Sequence, residues 1–424
     1  MTYQEATDYI FGQHPAYERS GDSAYKPGLT NVLALSKVFG NPHEGLKCVH
    51  IAGTNGKGTT AHTLAAAMRA AGYRTGLYTS PHLYDFRERI MVDGNMIAEE
   101  EVVDFVERYR KSGLGDVHAS FFELATVMAF EHFRRSKVDI AIIEVGLGGR
   151  LDSTNIISPE LCVITNISLD HTSLLGNTAA EIAVEKAGII KHGVPVVVGE
   201  ADGAVREVFL QEALRKQAPV VFSEDVSGIE VALDSDCNVF VKQSPFGSFA
   251  TVLHGSYQKN NTRTIICALD ELKRLGYAID SEVAARAFVD VGLTLKGRWQ
   301  KFGNIVCDCG HNPAAWKYIA EYLTSNLEHN VAAVIGFCSD KDVDSIISML
   351  PAGAVYYCVA ADTARAIPAE TLAAKVARRG LKALPCDDLA TAIRRAKDAG
   401  AGIIFVGGSF YLLSDFYKYK LYDR

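Results

Sequence analysis

The chain has 424 residues, 48% of them hydrophobic and 22% charged, with a formal net charge of −7. That length exceeds one ordinary hydrophobic core and predicts two or three domains of a soluble globular protein. An acidic balance without a long Lys/Arg stripe argues against a nucleic-acid partner, and no apolar run nears the ~18–20 residues that cross a bilayer. Residues 1–6 lack the basic and apolar parts of a signal peptide. Nine cysteines, an odd number scattered through apolar runs, predict reduced thiols and a cytoplasmic location. Cys307 and Cys309 flank an aspartate, but one C-x-C pair reads as core thiols rather than as a metal site.

Residues 1–45 read as partly helical, with a turn around Lys26-Pro27-Gly28. An apolar run, Cys48-Val49-His50-Ile51-Ala52, then predicts a strand, followed by Gly53-Thr54-Asn55-Gly56-Lys57-Gly58-Thr59-Thr60 and an alanine-rich helix over 61–68. Strand, glycine loop and helix in this order build a phosphate cradle. The glycines let backbone N–H groups turn toward an anion, the helix N-terminus adds partial positive charge, and Lys57 adds a full one. Thr59 or Thr60 offers a hydroxyl to Mg²⁺. The loop is not a strict Walker A sequence, because Ile51 and Gly58 stand where that pattern needs glycine and Ser/Thr.

A second strand, 74–79, ends in Ser80-Pro81-His82-Leu83-Tyr84-Asp85-Phe86-Arg87-Glu88-Arg89, a loop at the strand end where open α/β sheets bind ligands. Helices near 99–111 and 120–136 precede a buried strand, 139–145, which carries Glu144 near its end. A lone carboxylate there is expensive to bury without a partner or a metal. Glycines at 146, 148 and 149 lead into Arg150-Leu151-Asp152-Ser153-Thr154-Asn155. The strand 161–167 ends in Ser168-Leu169-Asp170-His171; a helix through Glu181, Glu185 and Lys186 leads to a strand at 194–199. Short β-like runs from 219 to 254 predict a small antiparallel sheet. Helices near 259–276 and 281–290 close a first domain, 1–296. From Arg298 onward, strands at 304–308, 331–336, 354–359 and 402–406 alternate with helices near 313–324, 368–379 and 388–399. That alternation predicts a second, mostly parallel α/β domain, 297–424.

These motifs, with Glu185-Lys186-Ala187-Gly188-Ile189, Tyr257-Gln258, Gly297-Arg298-Trp299-Gln300, His311-Asn312-Pro313, Asp340-Lys341-Asp342 and Gly408-Ser409, stand in a familiar order. Over most of its length the chain resembles the folylpolyglutamate synthase/dihydrofolate synthase family of the Mur ligase superfamily. The resemblance implies an α/β fold: a P-loop Mur-ligase-like N-terminal domain with folate-binding loops and a small antiparallel sheet, and a smaller Rossmann-like glutamate-ligase domain. It implies an ATP-dependent ligase adding L-glutamate to dihydropteroate or tetrahydrofolate through an acyl phosphate. A monofunctional folylpolyglutamate synthase, or another Mur-type amide ligase, is the alternative. The implied cofactors are ATP and Mg²⁺, with K⁺ a further candidate. The partners are folate or dihydropteroate and L-glutamate, with neither nucleic acid nor membrane, and the chain acts as a cytoplasmic monomer.

Residue by residue, the resemblance assigns catalysis to Lys57, Asp170, His171 and Lys186, the last as a carbamate. ATP falls to Thr54, Asn55, Gly56, Lys57, Gly58, Thr59, Thr60, Gln258, Asn261, Arg298, Asp308 and His311. The metal falls to Ser80, Glu144 and His171. The pterin acceptor falls to Lys26, Pro27, Gly28, Pro81, His82, Leu83, Arg89, Phe121, Phe122, Glu123, Leu151, Asp152 and Ser153. Phe121 and Phe122 read equally well as core; for Lys186 the lesser alternative is an unmodified lysine paired with Glu185 or another acid. Two departures from the family pattern stand out: Cys309-Gly310 replaces Gly-Ala, and 260–264 is more polar than the usual alanine-rich helix start.

Overall fold

The computed structural model describes residues 1–15, 21, 28–113 and 119–423. It divides into two units, Met1–Leu253 with Gln258–Leu295, and His254–Tyr257 with Lys296–Arg424.

The first unit is built on eight strands: β1 (Cys48–Ala52), β2 (Thr75–Tyr78), β3 (Ile90–Val92), β4 (Asn95–Met96), β5 (Ile140–Glu144), β6 (Leu161–Asn166), β7 (Val196–Glu200) and β8 (Val220–Phe222). Their order across the sheet is β4-β3-β2-β5-β1-β6-β7-β8. From β2 to β8 all neighbours are parallel, and β3 and β4 extend the edge as antiparallel strands. Parallel strands are covered on both faces, so β1 and β5 are buried at every residue. Alternation then sorts their side chains. Val49, Ile51, Ile140 and Ile142 enter one core, whereas Cys48, Ala141 and Ile143 enter another.

The helix Lys57–Ala70 is buried continuously from Gly58 to Met68. It packs on β1, β2 and β5 below and on the helices Gln258–Arg274 and Ser281–Asp290 above. A helix sandwiched between two layers must be apolar or small all round, which its alanines, glycine and threonines satisfy. The opposite face is covered by the helices Tyr3–Gln13, Thr30–Val38, Glu99–Lys111 and Phe121–Arg135. The chain passes from β1 to β2 on one side and later reaches β6 on the other, which makes the carboxyl end of β1 a topological switch point.

One expectation is corrected. The small sheet does not begin at 219, because Val220–Phe222 joins the main sheet parallel to β7 after the helix Gly203–Arg215. A three-residue apolar run carries no signal of its partner. The small sheet comprises β9 (Glu230–Leu233), β10 (Asn238–Gln243) and β11 (Phe249–His254), with β10 central and antiparallel to β9.

The second unit has its own core, formed around Trp316, Ile335, Tyr356 and Phe405. Its strands are β12 (Gln300–Phe302), β13 (Ile305–Asp308), β14 (Val331–Ile335), β15 (Val355–Cys358), β16 (Lys382–Pro385) and β17 (Ile403–Gly407), in the order β12-β13-β17-β14-β15-β16. Only β12 runs antiparallel to its neighbour. The short β16 and the helices Val343–Met349 and Phe410–Lys418 are additions to the elements expected from sequence.

The unusually polar helix start at 260–264 has a structural use. Arg263 donates to the carbonyls of Ser223 at 2.7 Å, of Val226 and of Ile229, and so fastens the segment between β8 and β9. Asn260 donates to Glu200 at 2.7 Å. Charged donors contribute more than neutral ones, so Arg263→Met is expected to lower the stability of this unit by roughly 2–3 kcal/mol. Urea unfolding measures this, and an unchanged midpoint would show that water replaces the guanidinium at no cost.

Candidate active site

The phosphate loop begins where β1 ends, and it is anchored to the end of β6. Thr54 N–H donates to the Asn166 carbonyl and Asn55 N–H to Asn166 Oδ1, each at 2.9 Å. The Thr54 hydroxyl donates to the Ser168 carbonyl at 3.1 Å and accepts from the Ser168 N–H at 3.0 Å. The N–H groups of Thr54 and Asn55, expected in the cradle, are therefore spent on attachment. Those of Gly58 and Thr59, at the start of the following helix, have no acceptor among the described residues. The first turn of a helix leaves such donors open to an anion.

Two glycines are required by this geometry. Gly53 has φ +146°, and a Cβ there would run into Thr165 Oγ1; Gly56 has φ +87°, and its Cβ would strike Asn261 Oδ1. Gln258 and Asn261, at the start of the helix Gln258–Arg274, lie against the loop. Asn261 Nδ2 donates to Gln258 Oε1 at 2.8 Å, and Gln258 Nε2 donates to Thr59 Oγ1 at 3.2 Å. Thr60 is fully buried. Lys57 folds back over its own loop, with Nζ 3.1 Å from the Gly53 carbonyl and 3.0 Å from that of Thr54.

A second lysine stands near it. Lys186, in the last turn of the helix Ala179–Ala187, is only 4% exposed. Burial and the nearby Lys57 bring its pKa down to about 7, against the opposing pull of Asp170, Asp152 and Glu185. Glu185 does not pair with it, since its carboxylate turns to Arg150 at 2.8 Å. No hydrogen bond or ion pair reaches the Lys186 ammonium among the described residues. Asp170 accepts the His171 N–H at 2.9 Å, and His171 is held in the left-handed region with φ +51°. Glu144, the buried last residue of β5, accepts the Ser80 N–H at 3.1 Å.

Ser80 and Glu144 thus come together and offer hard oxygen donors, which suit Mg²⁺; the His171 nitrogen is a less usual donor. No group of three His, Cys, Asp or Glu among the described residues could hold a metal alone.

The residues expected to meet the acceptor divide by environment. Phe121 is buried and stacked on Phe11, with centroids 4.3 Å apart, while Arg89 lies over its ring at 5.0 Å. Arg89 Nε donates to His82 Nδ1 at 2.8 Å, and burial with that guanidinium holds the histidine well below its usual pKa. Glu123 caps its own helix, accepting the Ser120 N–H at 2.6 Å and hydroxyl at 2.9 Å. Leu83 N–H is held by Glu88 at 2.7 Å. Phe122 and Leu151 are partly exposed, and Phe122 packs so closely on Gly146 that a Cβ there would meet its ring. Asp152 and Ser153 are buried. Gly28 has φ +127°; Lys26 and Pro27 lie outside the described residues.

In the second unit, Asp308 ends β13 and gathers three donors: Tyr257 hydroxyl at 2.6 Å, Trp299 N–H at 2.9 Å and Gly310 N–H at 2.7 Å. Arg298 lies over the Phe410 ring at 4.9 Å and donates to Cys309 Sγ. The thiol that departs from the family pattern therefore serves as an acceptor for this arginine. His311 Nδ1 lies 3.1 Å from the Cys309 carbonyl. Sequence reasoning missed Asn166, Thr165 and Cys309 as supports. A polar residue at the carboxyl end of a buried strand, as at 165–166, was the available signal.

Gly56→Ala should abolish measurable ADP binding in calorimetry, because the new Cβ both strains the loop and displaces Asn261; retained affinity would remove the loop from the phosphate site. Lys186 generates a pH prediction. Its folded pKa, about 7, lies below the ordinary lysine value of 10.5, so the unfolded state holds more protons between these limits. Its contribution to stability therefore rises with pH across that window. In CO₂-free buffer, the unfolding free energy of the wild type minus that of Lys186→Met should increase from pH 7 to 10, and a flat difference would show an ordinary ammonium.

Residues 51–268 match the Mur ligase middle domain, and residues 297–410 match the Mur ligase glutamate ligase domain. The dihydrofolate synthase/folylpolyglutamate synthase of Bacillus subtilis (strain 168) is 31% identical, over 98% of each chain. The protein of that name from Escherichia coli (strain K12) is 34% identical over 76% of this chain and 75% of its own. Escherichia coli FolC, solved in complex with DHPP and ADP, superposes with a TM-score of 0.84 at 27% identity, covering 99% of this chain and 98% of its own. Mycobacterium tuberculosis folylpolyglutamate synthase complexed with ADP gives 0.85 at 28% identity, covering 100% and 98%. Matched over both Mur ligase domains and over nearly its whole length, the chain belongs to the dihydrofolate synthase/folylpolyglutamate synthase family of the Mur ligases.

Proposed function

We infer that this protein is an ATP-dependent ligase that joins the amine of L-glutamate to the carboxylate of a pterin-bearing acceptor, dihydropteroate or a reduced folate. The observation that carries the reading is the glycine loop, whose Gly58 and Thr59 N–H groups stay open at the helix start while Lys57 folds over it, with the buried Lys186 within electrostatic reach of that lysine. Amide formation in water needs an activated carboxylate. The acceptor carboxylate attacks the γ-phosphorus of ATP, giving an acyl phosphate and ADP. The glutamate amine then attacks the acyl carbon, the C–O bond to phosphate breaks, and the amine loses a proton. Lys57 and the N–H groups of Gly58 and Thr59 hold the phosphate oxygens as charge moves among them. Mg²⁺, held by Ser80, Glu144 and His171, would supply further positive charge to those oxygens. Arg298, Asp308 and His311 are the nucleotide contacts this reading assigns to the second unit, with Gln258 and Asn261 on the first. Phe122, Leu151 and Asp152 are its acceptor contacts.

Lys186 is proposed to carry a carbamate in the active enzyme. A pKa near 7 leaves much of its amine neutral at working pH and able to add CO₂, with release of one proton. The product places an anionic oxygen pair where a cation stood, beside Lys57. All nine cysteines are free and eight are buried, which supports the cytoplasm as the place of work. No helix among the described residues is long and apolar enough to cross a membrane. The chain is proposed to act as a monomer.

The test is ADP release with each pterin acceptor in turn, with and without L-glutamate, and product mass. Product formation should require ATP, acceptor and glutamate together, and steady hydrolysis with ATP alone would instead favour a simple ATPase. Lys186→Ala should lose ~10²–10³-fold in turnover, on the scale of a lost electrostatic group. Acetate or formate should restore part of it, whereas Lys186→Arg should stay inactive; equal recovery of both variants would refute the carbamate.

A further inference from the structure

The strand β1 serves the site from two points. Its end carries the phosphate loop, and from its middle the fully buried His50 reaches the loop that bears Asp152. His50 Nε2 lies 2.8 Å from Thr154 Oγ1. The same hydroxyl lies 2.5 Å from Asp152 Oδ1, which also accepts the Thr154 N–H at 3.0 Å, while Asp152 Oδ2 accepts the Leu147 N–H at 2.8 Å. Threonine has one hydroxyl hydrogen, and a carboxylate only accepts, so Thr154 donates to Asp152 and must accept from His50. That logic assigns the Nε2–H tautomer. It agrees with His50 Nδ1, which is buried without a partner among the described residues and is left as a bare lone pair. Burial and Lys191 hold the ring neutral, with a pKa of about 3, so the donor persists throughout the working pH range.

Other bonds tie the backbone of the same loop. Asn155 Nδ2 donates to the Arg150 and Gly188 carbonyls at 3.0 Å, Lys191 Nζ donates to the Asn155 carbonyl at 3.0 Å, and Arg150 N–H donates to the Glu185 carbonyl at 2.7 Å. Among the described residues, the relay through Thr154 is the side-chain link from β1 to the Asp152 carboxylate. His50 is also rigidly placed, since β1 is paired on both sides, with His50 beside Ile143 of β5 and Cys162 of β6.

We propose that His50 is a positioning residue for the acceptor, orienting the Asp152 carboxylate through Thr154 in fixed register with the phosphate loop on the same strand. The proposal rests on Asp152 as an acceptor contact in the ligase reading. Phosphoryl transfer needs its reacting atoms within about 3–3.5 Å before reaction, so a loop free to shift by an ångström would waste bound substrate. Hanging both loops from one hydrogen-bonded strand removes that freedom.

Steady-state kinetics of His50→Leu, Thr154→Val and the double variant, with unfolding curves for each, test it. Each single change should lower kcat/KM for the pterin acceptor on the order of tenfold, with KM for ATP within about twofold of wild type. The double variant should be no worse than the poorer single one, because both break the same relay. His50→Gln, whose side-chain amide offers an N–H near the same position, should recover most of the loss. Acceptor kinetics within about twofold of wild type in folded His50→Leu, or losses that multiply in the double variant, would overturn the proposal. If His50→Leu does not fold, Thr154→Val decides, since an unchanged acceptor kcat/KM there overturns it equally. A wild-type protein that turns over no pterin acceptor would overturn the ligase reading itself, and this proposal with it.

Discussion

The attachment of the phosphate loop to the end of β6 is the interaction on which the site depends. A glycine-rich loop has too much conformational freedom to hold donors in place by itself. Here Asn166 takes the N–H groups of Thr54 and Asn55, and the hydroxyls of Thr54 and Thr165 bond to backbone of the opposite segment. The loop is thereby divided into an anchored half and a half whose N–H groups stay open at the helix start. Gly53 and Gly56 let the backbone pass close to Thr165 and Asn261, where any side chain would collide.

Charge is concentrated at the carboxyl ends of the central strands for the same reason. Glu144 ends β5, Asp170 and His171 follow β6, and Lys57 follows β1, so parallel topology alone gathers them at the carboxyl end of the sheet. Lys186 arrives from a helix end. Burial first, and the like charge of Lys57 second, bring its pKa to about 7. Its acidic neighbour Glu185 is held away by Arg150. The arrangement disfavours the charged form of Lys186 beside Lys57.

Much of this was legible in the chain. The strand–loop–helix at 48–70, the lone carboxylate at Glu144 and the α/β alternation after Arg298 each carry a local signal in periodicity or residue type. The split between Phe121 and Phe122 carries none: adjacent aromatic residues on one helix face different surroundings, and only packing shows Phe121 stacked on Phe11 and Phe122 against Gly146. Glu123 illustrates the same gap. Its position three residues after Ser120 is a capping-box spacing as well as a place in a ligand motif, and the hydrogen bonds go to the cap.

By itself the sequence determined most of the strand–helix order, the strand–glycine loop–helix at 48–70 and the family, because these depend on contiguous residues and on spacing along the chain. Tertiary structure decided the supports: Asn166 under the loop, Arg263 across four carbonyls, Cys309 beside Arg298, and His50 behind Thr154 and Asp152. Each joins residues separated in the chain through polar atoms that only the fold brings together. No periodicity records such a pairing, since the energy that selects it is the desolvation of a specific donor and acceptor after the strands have come together.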